Sequence, residues 1–303
     1  MDTPMLELTT ALEDWLAEAH LAASSQFAHT PVGRVHVLVA GQGRCPLVLV
    51  PGLGASSADF AALLACLATD HLVVGIDLPG TGLSDPVGFK GHPREAWDQV
   101  ITAVADRLGL TEFTLIGHSL GGLAAGAYAI SHPERVSKLV LLSPFGIGRR
   151  IPFLWNFSMV PGLMQLRGLY QRAVTPPPRP FPGWTSPGVQ RCEMGSAGER
   201  YRRRVSLRFG SGSDLELIGR LLQPLALRSE SQLLPALGLL SGRVQVIWGE
   251  EDRRLPLHRA QAELDSFPGL RLDVVPGAGH LLPVMHPTRT ATLIRDFLGT
   301  SAA

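Results

Sequence analysis

A serine stands in a bed of glycines at "TLIGHSLGG", residues 114–122, directly after an apolar run. A serine hydroxyl is a weak nucleophile until a base takes its proton. His118 is the nearest base in sequence, but adjacent side chains on a tight turn point in different directions. The spacing therefore argues against His118 as the base for Ser119, and no acid lies close by to orient it. Two later stretches carry better candidates. "VIWGEEDRRLP" (246–256) offers Glu250, Glu251 and Asp252 after an apolar run, and "VVPGAGHLLPVMHP" (274–287) offers His280 and His286. The glycines of the second stretch give a loop that can swing an imidazole toward a distant serine. His286 precedes Pro287, a helix-starting arrangement, and His258 opens another helical stretch, so both read as structural.

Such residues can meet only if regular elements bring them together. "PLVLVP" (46–51), "HLVVGID" (71–77), "EFTLIG" (112–117), "SKLVLLS" (137–143), "RVQVIWG" (243–249) and "LRLDVVP" (270–275) are nearly continuous apolar runs. Continuous runs imply strands buried on both faces, as in a parallel sheet covered by helices. "RVHVLVA" (34–40) alternates, as an edge or antiparallel strand does. Helix-like segments at 57–68, 94–109, 120–131, 257–266 and 287–298 lie between them. The alternation predicts an α/β fold with a mostly parallel, doubly wound sheet. Ser119 then sits between a buried strand and a helix of small residues. The G-x-S-x-G spacing of Gly117, Ser119 and Gly121 suits a turn so tight that only small side chains fit around it, and the helix N-terminus favours developing negative charge.

With that context the chain resembles the α/β-hydrolase superfamily, and within it the ester, lactone and C–C bond hydrolases with a mobile cap. The resemblance spans about 27–299. It implies the α/β-hydrolase fold, with a helical cap inserted in the core, and a Ser–acid–His order along the chain. The family's W-G-x-x-D pattern selects Asp252, with Glu251 as fallback, and its G-x-G-H pattern selects His280. Ser119 would be the nucleophile, His280 the base and Asp252 its orienting acid. "VPGLGASS" (50–57) matches the family loop that donates a backbone N–H to the oxyanion hole, from Leu53 here, with Leu120 as the second donor. Pro51 stands where many relatives have histidine. "DLPGTGLSD" (77–85) looks like the family's D-x-x-G-x-G-x-S loop, with Asp77 and Ser84 expected to fix the turn. It is a poor phosphate loop, lacking both G-x-G-x-x-G and a lysine motif opening a helix. The expected machinery needs neither a metal nor an organic cofactor. Serine at the nucleophile position sets the chain apart from the aspartate-dependent epoxide hydrolases and haloalkane dehalogenases of this fold.

The rhythm of strands and helices breaks from about 146 to 240. "TPPPRPFPGW" (175–184) and thirteen arginines against five acids mark this segment. It is expected to be the cap, dividing the core into 1–145 and 241–303, at the strand edge where open α/β sheets bind ligands. Phe145, just before it, and Trp155 and Phe157, from its aromatic start, are expected to line an apolar substrate pocket; a packed cap core explains them equally well. The arginines could draw an anionic substrate, but the chain has only Lys90 and Lys138 and favours arginine throughout.

Residues 6–23 place Leu8, Leu12, Trp15, Leu16, Ala19 and Ala23 at helical spacing. They predict an N-terminal helical extension over 1–26, docked on the body or the rim of the active site. Its acidic polar face argues against membrane anchoring, and with no Lys or Arg before Arg34 it does not read as a secretory leader. A net charge of +1 gives no drive toward nucleic acid. No apolar run reaches the ~18 residues of a membrane-spanning helix. Three scattered cysteines, Cys45, Cys66 and Cys192, point to a reducing, cytoplasmic setting. Three readings follow for a small-molecule acyl substrate: carboxylic-ester hydrolase, C–C bond or thioester hydrolase on an anionic substrate, or a non-catalytic ligand-binding relative.

Overall fold

The computed structural model describes residues 3–85, 92–148, 233, 238–267 and 269–299. Most of the expected cap, including Trp155 and Phe157, lies outside the described residues. The chain opens with helix α1 (Thr3–Glu18) and a hairpin of β1 (Ala23–Thr30) and β2 (Gly33–Ala40). Then follow β3 (Leu47–Val50), a single-turn helix (Ser57–Phe60) running into α2 (Ala61–Leu67), β4 (Val73–Ile76) and α3 (Pro93–Arg107). Next come β5 (Phe113–His118), α4 (Leu120–Ser131) and β6 (Val136–Leu142). After residue 240 stand β7 (Val244–Gly249), α5 (Leu257–Leu264), β8 (Leu270–Val275), α6 (Leu282–Met285) and α7 (Pro287–Leu298).

Among the described residues these strands form one eight-stranded sheet in the order β1-β2-β4-β3-β5-β6-β7-β8. β3 to β8 run parallel, while β1 pairs β2 and β2 pairs β4 antiparallel. The expected α/β architecture is the one observed. Side chains of a strand alternate between faces, and the two cores divide accordingly. Val48, Val50, Leu115, Leu139, Leu141, Val246 and Trp248 pack with α3, α4 and α5 through Trp97, Ile101, Leu123, Tyr128 and Leu264. Leu47, Leu49, Ile116, Val140, Leu142 and Ile247 pack with α2 and α7 through Leu63, Leu64, Leu67, Leu293 and Ile294. An apolar residue at nearly every strand position is what a sheet covered on both faces requires.

Two expectations are corrected at the sheet edges. The N-terminal extension is not helical through residue 26: α1 ends at Glu18, and Ala23 pairs with Ala40 as the first rung of the hairpin. "ASSQFAHT" carries little apolar signal because β1 is an outer strand with one neighbour. β8 is likewise an edge strand, half-buried rather than sandwiched, with Arg271 and Asp273 paired at 2.8 Å. α1 does dock on the body. Leu12 is buried in the second core, and Trp15 packs against Leu281, the residue after His280. No helix among the described residues is long and apolar enough to cross a membrane.

Candidate active site

The carboxyl ends of β5, β7 and β8 deliver the three expected side chains to one place. Ser119 caps the N-terminus of α4 with φ 52° and ψ −117°, a backbone conformation costing about 1–3 kcal/mol. The surrounding glycines make that turn possible. A Cβ on Gly121 would lie 2.2 Å from the Val50 carbonyl oxygen, and one on Gly117 would lie 2.4 Å from that of Gly121. Hydrogen bonds hold the turn: Ser119 N–H donates to Leu142 O at 3.0 Å, while Gly122 and Phe145 N–H donate to Ser119 O at 2.9 and 2.8 Å. The strain is thus overdetermined by packing.

His280 reaches Ser119 across 161 positions of sequence. Its Nε2 lies 3.0 Å from Ser119 Oγ, and its Nδ1 lies 2.7 Å from Asp252 Oδ2. A carboxylate oxygen only accepts, so Nδ1 carries the proton and Nε2 presents its lone pair to the serine hydroxyl. The other carboxylate oxygen, Asp252 Oδ1, accepts the backbone N–H groups of Arg254 and Leu255, both at 2.9 Å. Burial pushes the Asp252 carboxyl up, but the charge and hydrogen bond of His280 and those two backbone donors outweigh it. The group is left below its ordinary value. Asp252 and His280 are buried, Ser119 is half-buried, and Glu250 and Glu251 face solvent. The loops are tied together as well, with Glu251 N–H donating to Ala278 O at 2.9 Å.

Gly52 packs against the turn so closely that a Cβ there would lie 3.0 Å from Ser119 Cβ. This sets the Pro51–Gly54 loop beside the serine. No acceptor among the described residues takes the backbone N–H of Leu53 or Leu120. Phe145 is half-buried, and its backbone is fastened to the serine turn. His258 is the second residue of α5 and is exposed, away from the three converging side chains. His286 stands at the N-cap of α7, but its imidazole makes no capping bond. The helix start is instead set by Pro287, and His286 O accepts the Thr290 hydroxyl at 2.8 Å.

A second Ser–His–Asp chain exists, which sequence reasoning missed. Ser25 Oγ lies 2.8 Å from His36 Nε2, and His36 Nδ1 lies 2.8 Å from Asp77 Oδ2. Its setting differs. Ser25 stands within the regular edge strand β1, with no strained turn and no helix N-terminus at its hydroxyl. Asp77 is also committed, accepting Ser57 N–H at 2.6 Å, Ser57 Oγ at 2.7 Å and Leu83 N–H at 3.0 Å. Burial raises its carboxyl, yet the bond and charge of His36 and the Ser57 donors leave it below the ordinary value. Ser84 Oγ donates to Asp77 O and accepts His36 N–H. Asp77 and Ser84 therefore do fix the 77–85 turn, as expected, with His36 and Ser57 as partners. His36 falls on the polar phase of the alternating strand, together with exposed Arg34, so the pattern gave no sign that it is buried.

Sequence and fold are both similar to those of known proteins. A sequence model of the Alpha/beta hydrolase family matches residues 47–293. The chain is 28% identical over 290 residues to the 2-hydroxy-6-oxononadienedioate/2-hydroxy-6-oxononatrienedioate hydrolase of Paraburkholderia phymatum, covering 92% of this chain and 96% of that protein. Solved hydrolase structures share its fold. A carboxylesterase from Bacillus subtilis superposes with a TM-score of 0.69 at 19% identity, over 99% of this chain and 100% of that one. A meta-cleavage product hydrolase from Pseudomonas fluorescens IP01 gives 0.67 at 19% identity, over 90% of this chain and 97% of that one.

Proposed function

We infer, for a chain that belongs to the alpha/beta hydrolase family, that it is a serine hydrolase cleaving carboxylic esters through Ser119, His280 and Asp252. The observation that carries this reading is the unbroken hydrogen-bonded chain from Ser119 Oγ through His280 to Asp252, at 3.0 and 2.7 Å. His280 Nε2 takes the hydroxyl proton as Ser119 Oγ attacks the substrate carbonyl. Asp252 holds the imidazole tautomer and stabilises the imidazolium that forms. The oxyanion is received by the N–H groups of Leu53 and Leu120, two donors fixed before the reaction begins. His280 then protonates the departing alcohol, leaving an acyl group on Ser119. In the second half His280 takes a proton from water, water attacks the acyl carbon, and Ser119 is restored. In the same reading residues 146–240 cap the site, with Phe145, Trp155 and Phe157 on the acyl pocket.

A second reading has its own support. The Paraburkholderia phymatum relative is named as the hydrolase of a 2-hydroxy-6-oxo-dienedioate, and on such a ketone the same residues of this chain would break a C–C bond instead of an ester. A panel of p-nitrophenyl esters from acetate to octanoate, run beside a 2-hydroxy-6-oxo-dienedioate, separates the two. The ester reading expects turnover of the panel, lost in Ser119→Ala while the fold is kept. Cleavage of the dienedioate alone would transfer the assignment to the C–C reaction. Turnover of neither would leave a ligand-binding member of the fold.

A further inference from the structure

His118 is fully buried against the site yet takes no part in the proton chain. Its Nε2 lies 2.8 Å from the backbone carbonyl oxygen of His280, 162 positions later. The rings of His118 and His280 are 5.0 Å apart between centroids, and Phe60 meets the other side of His118 edge-on at 5.6 Å. A carbonyl only accepts, so Nε2 carries the proton. Nδ1 is then left with a lone pair, and it has no hydrogen-bond partner among the described residues. Burial, and then the neighbouring His280, press this imidazole down from 6.5 to about 3, so it stays neutral while it donates.

The bond matters because of where it grips. The loop carrying His280 leaves β8 through Gly277 at φ 67°. Its first part is fastened to the β7 side, where Glu251 N–H donates to Ala278 O and Gly277 N–H donates to Glu250 Oε2. Residue 280 itself is gripped from the β5 side by His118, whose backbone is continuous with Ser119. The residue presenting the base is thereby tied to the strand presenting the nucleophile.

We propose that His118 is a positioning residue: its Nε2–H, bound to the His280 carbonyl, sets the imidazole of His280 at bonding distance from both Ser119 and Asp252. The proposal rests on the reading of Ser119, His280 and Asp252 as the catalytic triad. A displacement of the base by about an ångström is enough to cost roughly 100-fold in rate. The geometry also selects the conservative replacement. A glutamine amide nitrogen can stand near the place of imidazole Nε2 and donate to the same carbonyl. Asparagine reaches only as far as Nδ1, and leucine donates nothing.

The test compares His118→Gln, His118→Asn and His118→Leu, each first shown to be folded by circular dichroism and thermal unfolding. With a short p-nitrophenyl ester, His118→Leu and His118→Asn should lose roughly 10- to 100-fold in kcat at unchanged KM. His118→Gln should keep most of it. Proton NMR gives an independent readout, the downfield resonance of the His280 Nδ1 proton shared with Asp252. It should persist in the wild type, in Ser119→Ala and in His118→Gln, and broaden or vanish in His118→Leu. Wild-type kcat and an intact resonance in the leucine variant would overturn the proposal. So would equal damage from glutamine and asparagine, a comparison that stands even if the leucine variant does not fold. Absence of ester turnover in the wild type would sink the ester reading, while the resonance still decides the role of His118.

Discussion

Asp252 and His118 are buried titratable groups beside the same imidazole, and each responds to acid in a definite direction. Asp252 is held below the ordinary carboxylate value. A depressed carboxylate contributes stability that is present above its unfolded value and lost as pH falls through its folded value. His118 acts in the same direction through a different window. The unfolded chain binds a proton near pH 6.5, whereas the folded ring resists it until about 3. Stability should therefore fall between those limits by up to ~1.4 kcal/mol per pH unit from this group alone. His118→Gln removes the titration. Urea unfolding of wild type and variant from pH 7 downward should show a shallower loss in the variant, and parallel curves would refute this account of His118. At this scale the candidate serine, base and acid were all named from sequence patterns. The His118–His280 bond was not, because a donor gripping a backbone carbonyl 162 positions away leaves no local pattern.

At the scale of elements, the turn between β5 and α4 does the positioning, and its glycines meet a stricter demand than Gly109, which lies between α3 and β5. Gly121 is required by close approach, since a side chain would drive into the β3 carbonyl of Val50. Gly109 also turns, at φ 67°, but a Cβ there would meet nothing within 4 Å. Gly121→Ala is expected to destabilise by about 3 kcal/mol or more, at or above the upper end of ordinary overpacking costs. Gly109→Ala should cost only the left-handed backbone penalty of about 1–2 kcal/mol. Chemical denaturation of the two variants measures the contrast, and equal costs would contradict the packing described for the turn. The inner strands β3 to β7 were legible because a sheet buried on both faces demands unbroken apolar runs. β1 was not, since an edge strand needs only alternate contacts and "ASSQFAHT" has few. The same logic made β8 look more buried than it is: Leu270, Leu272 and Val274 alternate with Arg271 and Asp273, as an edge strand allows.

Across the whole molecule, a serine, a histidine and an acid from three distant parts of the chain converge because parallel strands all end at one edge. The Ser25–His36–Asp77 chain shows that hydrogen-bonded order alone does not identify a nucleophile. What sets Ser119 apart is the strained turn, the helix N-terminus and the adjacent Pro51–Gly54 loop. The sequence pattern made this distinction legible for Ser119, through glycines flanking the serine, and left the 25–36–77 network unseen. The most direct test of Ser119 as the activated nucleophile is covalent capture with a fluorophosphonate, followed by intact mass and peptide mapping. The account predicts a single adduct on Ser119. Its formation should be slowed by roughly 10³- to 10⁴-fold in His280→Ala or Asp252→Asn, by analogy with losses in known triads, and be absent in Ser119→Ala. An adduct on another serine, or labelling of Ser119 at an unchanged rate in those variants, would contradict it.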